Sequence, residues 1–418
     1  MVHDFLVRHG MAPEQIDVPL TCERFLGEMS AGLAHAPSSI LMLPTYLTHE
    51  GPLPLHVPVA VIDAGGTNAR VAKVTMDPEG AKIENLDLFP MPGSRAPVDR
   101  GGFFRLFAQR LLPFVRDCAS IGFCFSFPAQ ITPDRDGRVL CFDKEVRVED
   151  SEGMLLMEEL TRTLRQLGAP NLRGVVLNDT VAALLGGRVQ TDPAQWDGFI
   201  GLIWGTGVNV CYAEAINPRG PYGPSMLINT ESGCFDRVIP GDFDRELDSA
   251  SREPGRNLYE KMVAGAYLGQ VVRLTLSGAA REGLLNRDFS TLEQLDTRQA
   301  DAFAVDPQGD NPLASLCRNP YERGAVYEII DQLSLRAARL VGANLAAVLT
   351  RTGLGRDPAR PACIVAEGST LYKSKLLLPH LETVLDTYVR GQLGLSCAFL
   401  RPENANLVGT AAAALLNR

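Results

Sequence analysis

Apolar positions along the chain follow two alternating periods. Val59–Ile62 is an unbroken apolar run that reads as a buried strand. Asp63 puts a carboxylate at its end, and Gly65-Gly66 make a turn whose amides can approach a phosphate with no Cβ in the way. Thr67 and Asn68 follow, and Val71 to Val74 alternate as a second strand. A P-loop or a dinucleotide fingerprint would open a helix here and needs other glycine spacings. The pattern therefore predicts a strand–carboxylate–diglycine–strand hairpin. Taken alone, it suits a purely structural hairpin as well as a phosphate corner.

The pattern recurs at 199–214, where the apolar run Phe199–Trp204 meets Gly205-Thr206-Gly207 and a strand-like run starts at Val208. This weak internal repeat suggests two related halves facing each other across a cleft. A third glycine turn, Glu367-Gly368-Ser369-Thr370, follows the apolar strand Ala362–Val365. Further strands are predicted at 119–128, with Ser126 at the end, and at Val175–Leu177. The latter runs into Asn178-Asp179-Thr180 and a short helix, Val181–Leu185, ended by Gly186-Gly187. Asp179 reads as an N-cap, or as a base kept ionised by the helix terminus.

Helical periods are predicted over 1–35, over 99–117 (ended or kinked by Pro113), and from a Ser151 cap to Leu167. Others cover 252–276, 322–352 (stopped at Gly353), 374–392 and 406–417. The stretch 48–56 reads as a connector, and polar, aperiodic 285–320 as surface loops.

Composition narrows the class. At 418 residues the chain suits about two to three domains. A net charge of -9 argues against nucleic acid or an anionic membrane as partner. The nine cysteines form no C-x-x-C pair and read as reduced thiols. The N-terminus has no secretory h-region, and no apolar run reaches the ~20 residues of a membrane span. A cytoplasmic protein is the expectation.

Eight strings in order carry a resemblance: MLPTYL (42–47), IDAGGTNARV (62–71), GFCFSFP (122–128), LNDTVAALLGG (177–187), GLIWGTGVNVCY (201–212), LINTESG (227–233), PGRNLYEKMVAGAYLG (254–269) and AEGSTLYK (366–373). Together the strings resemble the hexokinase family. The resemblance implies an α/β, actin-like (ribonuclease H-like) sugar-kinase fold. A small domain, 57–178 plus 403–418, would close on a large one, 1–56 plus 179–402, with hinges at 48–56, 177–179 and 402–405. The implied activity is ATP-dependent transfer to the 6-hydroxyl of glucose, with mannose or fructose as further acceptors, at the first step of glycolysis. The alternatives are a kinase for another hexose or an amino sugar, and a catalytically weak sugar-binding regulator. Hexose and nucleotide are the implied partners, ATP and magnesium the cofactors, and a monomer or homodimer the implied state.

Carried over residue by residue, the resemblance makes Asp179 the base for the sugar hydroxyl and Lys144 the neutraliser of charge on the transferred group. Asp63 would hold magnesium through water. Gly65, Gly66, Thr67 and Asn68 would face phosphate from one side and Gly205, Thr206 and Gly207 from the other. Arg70 would bind phosphate or pair within its own domain. Ser126, Asp143, Lys144, Asn178, Asp179, Asn209, Glu231 and Glu260 would contact the hexose, and Gly368 and Ser369 would lie near adenosine. The sequence departs from the family pattern in four places. Asp143 stands where a threonine is usual, and Ser232 where a tryptophan is common. One residue is added in AEGSTLYK, and Asn404-Ala405-Asn406-Leu407 replaces a Ser-Gly-Lys-Gly string.

Overall fold

The computed structural model describes residues 1–66, 68–142, 146–216 and 224–417. The chain opens with helices α1 (Val2–Arg8) and α2 (Val18–Leu33) and the short strand β1 (Leu43–Pro44). Strands β2 (Pro58–Ala64), β3 (Asn68–Asp77), β4 (Gly80–Pro90) and β5 (Val98–Asp99) lead to α3 (Arg100–Leu111). Next come β6 (Ser120–Phe125), β7 (Ala129–Ile131), β8 (Gly137–Val139), β9 (Val148–Glu149) and α4 (Leu156–Gln166). Strand β10 (Gly174–Leu177) runs into α5 (Asp179–Val189), and β11 (Gly198–Trp204), β12 (Val208–Ala215) and β13 (Ser225–Asn229) follow. Helices α6 (Asp242–Ala250), α7 (Leu258–Val263), α8 (Leu268–Arg281), α9 (Thr297–Val305), α10 (Pro312–Leu316) and α11 (Pro320–Thr352) come next. The chain closes with β14 (Ala362–Glu367), α12 (Ser369–Lys373), α13 (Leu377–Val384), β15 (Cys397–Leu400) and α14 (Ala405–Leu416).

Two mixed sheets carry the architecture. One runs β10-β6-β2-β3-β4 and the other β1-β13-β12-β11-β14-β15. Each contains an expected hairpin: β2 pairs antiparallel with β3, and β11 with β12. Each also adds parallel strands beside it, β6 and β10 in the first sheet and β14 and β15 in the second.

Helices α5 and α14 cross between the sheets. Helix α14 packs on β2 and β6, and α5 on β11, β12 and β14. The crossing leaves no room for side chains. A Cβ on Gly409 would sit 1.8 Å from the Ala182 carbonyl oxygen, and one on Gly186 2.1 Å from that of Ala405. Gly186-Gly187 therefore do not end the helix, as the sequence suggested. They lie inside α5, which runs on to Val189, because α14 and β14 approach it there.

Other expectations change for local reasons. The predicted 1–35 helix is two helices, and α2 starts where the Asp17 carboxylate accepts from Leu20 N. Ser151 does not cap α4. The Asp136 carboxylate does so instead, accepting from Met157 N at 2.7 Å and Glu158 N at 2.9 Å. The 252–276 period is broken between α7 and α8, where Gly265 N and Ala266 N donate to the carbonyls of Gly205 and Thr206. Residues 285–320 are not plain loops. They hold α9 and α10, capped by Asp296 and Asn311, and bury Phe289, Leu295, Phe303 and Leu313. The 322–352 helix holds, as α11, with Gly353 at φ 70° as its stop. It is long and apolar enough to cross a membrane, but 83% of its apolar window is buried within the fold.

A buried ion pair fastens α11 to α6. Arg336 donates to both Asp244 oxygens, at 3.2 and 2.5 Å, and Asp244 also accepts from Gly241 N. Gly409→Ala should cost at least about 1–3 kcal/mol, because the methyl group meets fixed backbone; a lower urea midpoint checks it. Asp244→Asn should cost about 3–5 kcal/mol by stranding the Arg336 charge, whereas a surface change such as Glu79→Gln should leave the same midpoint in place.

Candidate active site

Strand ends bring the polar residues together. Asp63 lies near the end of β2, and Gly65 N donates to the Asn68 carbonyl to close the diglycine turn. Ser126 follows β6, with its amide on the Ala64 carbonyl. Asn178 follows β10 and caps α5 through its Oδ1, which accepts from Thr180 N at 3.0 Å. Asp179, read from the sequence as a possible N-cap, is instead the first residue of the helix. From the second sheet, Gly205 N donates to the Gly207 carbonyl across the turn between β11 and β12.

A web of amides holds the acceptors in place. Asn209 Nδ2 donates to Asn229 Oδ1 at 2.7 Å and to Asn178 Oδ1 at 3.3 Å. Its Oδ1 accepts from Val210 N and Ser232 N. Asn229 Nδ2 in turn donates to Glu231 Oε1 at 2.8 Å, and Glu260 Oε2 accepts from Val208 N at 3.1 Å. Glu231 itself sits in the left-handed region at φ 50°. An acceptor tied to a donor that is itself held in place is set in one orientation before a ligand arrives.

These residues enclose a cavity of about 300 Å³. Of the residues expected at a hexose, Ser126, Asn178, Asp179, Asn209, Glu231 and Glu260 line it. Of those expected at the nucleotide, Asp63, Gly65, Gly66, Thr206, Gly207 and Gly368 line it. Gly205 supports the wall from behind, its carbonyl accepting from Gly265 N and Thr370 Oγ1. Asn68 and Ser369, at the starts of β3 and α12, are not among the lining residues. Arg70 is paired within its own hairpin, with Nη2 2.5 Å and Nε 3.0 Å from Asp63 Oδ2. Thr67, Asp143 and Lys144 lie outside the described residues.

The structure adds lining residues that sequence reasoning did not single out: Glu367, Asn406, Asn257 and Cys234. Glu367 had a signal, since it repeats the Asp63 pattern of an acid at a strand end before a glycine turn. Asn406 had one only through the resemblance, as part of the 404–407 stretch that departs from the family string, and Cys234 had none. Burial pushes the Glu367 carboxyl above its usual range. Arg401 and Arg70 oppose that shift, and Asp63 and Asp179 reinforce it. Burial likewise raises the Cys234 thiol to about 12, with Glu231 and Glu260 adding to the shift, so it stays protonated.

The donor set suits magnesium nucleotide. The wall that carries Asp63, Asp179 and Glu367 is rich in carboxylates, which favour a hard cation. Among the described residues no cluster of three or more His, Cys, Asp or Glu could hold a metal alone. Magnesium normally combines one or two carboxylates with substrate phosphates, which fits such a set. A Cβ on Gly205 would meet Gly368 Cα at 3.4 Å, so the two glycine turns stand close together as a backbone-lined cradle.

Comparison with known proteins gives the lineage. Two family models, each described as hexokinase, match residues 9–189 and 199–416. Hexokinase HKDC1 of Homo sapiens is 30% identical over 430 residues, covering 93% of this chain and 45% of that protein. Hexokinase-2 of Rattus norvegicus is 30% identical over 425 residues, again 93% and 45%. The chain thus spans about half the length of these two relatives. Hexokinase-1 of Schizosaccharomyces pombe is 27% identical over 418 residues, covering 91% of this chain and 84% of that protein. In three dimensions the chain resembles a hexokinase from Schistosoma mansoni complexed with glucose, with a TM-score of 0.80, 24% identity and coverage of 100% and 99%. It also resembles a ROK family glucokinase from Streptomyces griseus in complex with glucose and AMPPNP, with a TM-score of 0.54, 17% identity and coverage of 85% and 99%. The fold is thus the actin-like α/β fold of these kinases. With one family model matching more than half of its residues and relatives 30% identical over 93% of its length, the chain belongs to the hexokinase family.

Proposed function

We propose that this chain transfers the γ-phosphoryl group of ATP to the 6-hydroxyl of a hexose, glucose first. The observation that carries the reading is the single cavity shared by Asp179, the amide-held Asn209 and Glu231, and the glycine turns of both sheets. Phosphoryl transfer asks for alignment and charge neutralisation more than covalent work by the protein. Asp179 would accept the hydroxyl proton, and its place in the first turn of α5 favours the ionised form. Asn178, Asn209, Glu231 and Glu260 would pair with ring hydroxyls, so an analogue lacking one would leave a buried acceptor unpaired. Lys144 keeps its proposed role beside the transferred group.

Magnesium would sit at the Asp63 end and neutralise donor charge when bound. Gly65, Gly66, Thr206, Gly207 and Gly368 would present backbone and hydroxyl donors to phosphate. The unit formed by 57–178 and 403–418 would close on the rest of the chain and exclude water. This division is supported by the sheets, since each draws its strands from one unit only. Asp143 supports a second acceptor class, because a carboxylate at the sugar would suit the ammonium of an amino sugar.

Release of ADP from magnesium-ATP, measured sugar by sugar, tests the reading. Glucose should give the highest turnover among glucose, mannose, fructose, glucosamine and N-acetylglucosamine. Turnover confined to an amino sugar would move the assignment to that class, and binding of sugar without turnover would make the chain a sugar-binding regulator. Asp179→Asn should lower kcat about 10²–10⁴-fold, the usual worth of a general base, while calorimetry still detects hexose binding. Glu260→Ala should raise the hexose KM about 10–100-fold, the loss of one charged hydrogen bond, with the ATP KM within about twofold of the parent by the same comparison.

A further inference from the structure

Charge is unevenly spread around the cavity. Asp63, Asp179, Glu231, Glu260 and Glu367 line it, and among the described lining residues none is cationic. A nucleoside triphosphate adds more negative charge to that wall. Magnesium offsets part of it, and phosphate chains are commonly held by guanidinium or ammonium groups as well. Arg70 is the nearest candidate in sequence, but its guanidinium is committed to Asp63.

Sheet register brings a second arginine to the same edge. Strands β14 and β15 are parallel, with Val365 opposite Leu400. Glu367 ends β14, and Arg401 is the first residue beyond β15. Both therefore leave the sheet at its carboxyl-terminal edge, where open α/β sheets bind their ligands. Among the described residues Arg401 enters no ion pair or side-chain hydrogen bond. Its guanidinium carbon instead lies 4.1 Å from the centre of the Tyr372 ring. Tyr372 is one turn beyond Gly368, and its amide donates to the Gly368 carbonyl. The stack thus holds a cation beside the third glycine turn. One buried polar atom at the cavity wall beside this turn has no partner: Oδ1 of Asn406, a lining residue. Arg401 is also the foremost charge opposing the upward shift of Glu367, so its field reaches the cavity.

We propose that Arg401 binds the phosphate chain of the donor nucleotide, with the Tyr372 ring holding its guanidinium plane at the cleft edge. The inference rests on the hexose-kinase reading for the identity of the donor, and it assigns the donor side of the site a cation that the cavity wall lacks. A planar fork stacked on an aromatic ring suits two phosphate oxygens at once, which an ammonium cannot match.

The test is magnesium-ATP binding by titration calorimetry on the full chain, beside steady-state kinetics. Arg401→Gln should weaken magnesium-ATP binding about 10–100-fold and raise the ATP KM in step, the worth of a charge-assisted contact. The hexose KM and kcat at saturating ATP should stay within about twofold. Arg401→Lys should recover part of the loss, Tyr372→Ala should move ATP binding in the same direction, and Tyr372→Phe should not. Adenosine, which has no phosphate, should bind parent and Arg401→Gln alike. Unchanged ATP affinity in Arg401→Gln, or an equal loss for adenosine and ATP, overturns the inference and leaves the hexose-kinase reading standing. A parent chain that binds ATP through Arg401 but releases no ADP with any sugar overturns that reading and leaves the Arg401 assignment intact.

Discussion

Everything in this molecule depends on how closely α5 and α14 cross. Two helices with ordinary side chains pack with their axes about 8–10 Å apart. Here Gly186 and Gly409 remove the side chains at the contact, so backbone meets backbone. The same glycine solution extends to both sheets. Gly122 of β6 faces Thr410 of α14, and Gly201 of β11 faces the Thr180 carbonyl of α5. Each sheet is thereby drawn onto the crossing pair. Strand ends from both sheets then open toward one space, and α5 begins in that space with Asp179.

The site inherits its geometry from this arrangement, but its rigidity comes from hydrogen bonds. Asn209 sits at the centre, tied to Asn178 on one side and to Asn229 and Ser232 on the other. It thus links the β10–α5 junction to the strand that leads to Glu231. Further out, the break between α7 and α8 places two amides on the Gly205-Thr206 turn. A helix that ran straight through 264–267 would spend those two amides on its own carbonyls and withdraw them from the turn. The interrupted period is therefore part of how the site is held, and its cost in helical hydrogen bonds is offset by those made to the turn.

Much of this was legible in the sequence, for physical reasons that differ by element. The hairpins at 57–75 and 199–214 were readable because buried strands are short, apolar and bounded by glycine. Helix α11 was readable because its apolar period is long. What misled was glycine and proximity. Gly186-Gly187 look like a stop signal, and only the later arrival of α14 makes them a contact. Residues 285–320 look like loops because α9 and α10 are short and bury few residues each, and no one period spans them. Ser151 looks like a cap, but Asp136, close to β8 and far from α4 in sequence, does that work. Within the site, residues on strand ends were found because strand and turn announce themselves. Cys234 was not, because nothing local distinguishes a side chain that meets the cleft only after folding, and Asn406 was marked only as part of the departing 404–407 string. The resemblance supplied the roles, which no spacing alone would have assigned.

The two halves repeat one device with an instructive difference. Each offers an acid at a strand end followed by a glycine turn, Asp63 in the first sheet and Glu367 in the second. Asp63 has its counter-charge inside its own hairpin, directly across the ladder, because antiparallel register sets Asp63 opposite Arg70. Glu367 lies on a parallel strand, where no hairpin partner exists, and the foremost charge opposing its upward shift is Arg401, just beyond the neighbouring strand. Burial is the largest influence on Glu367 and holds its carboxyl above the usual range, so a cation brought beside it offsets that cost. Arg401 starts the connector that leads into α14, the same helix whose crossing with α5 holds the sheets together.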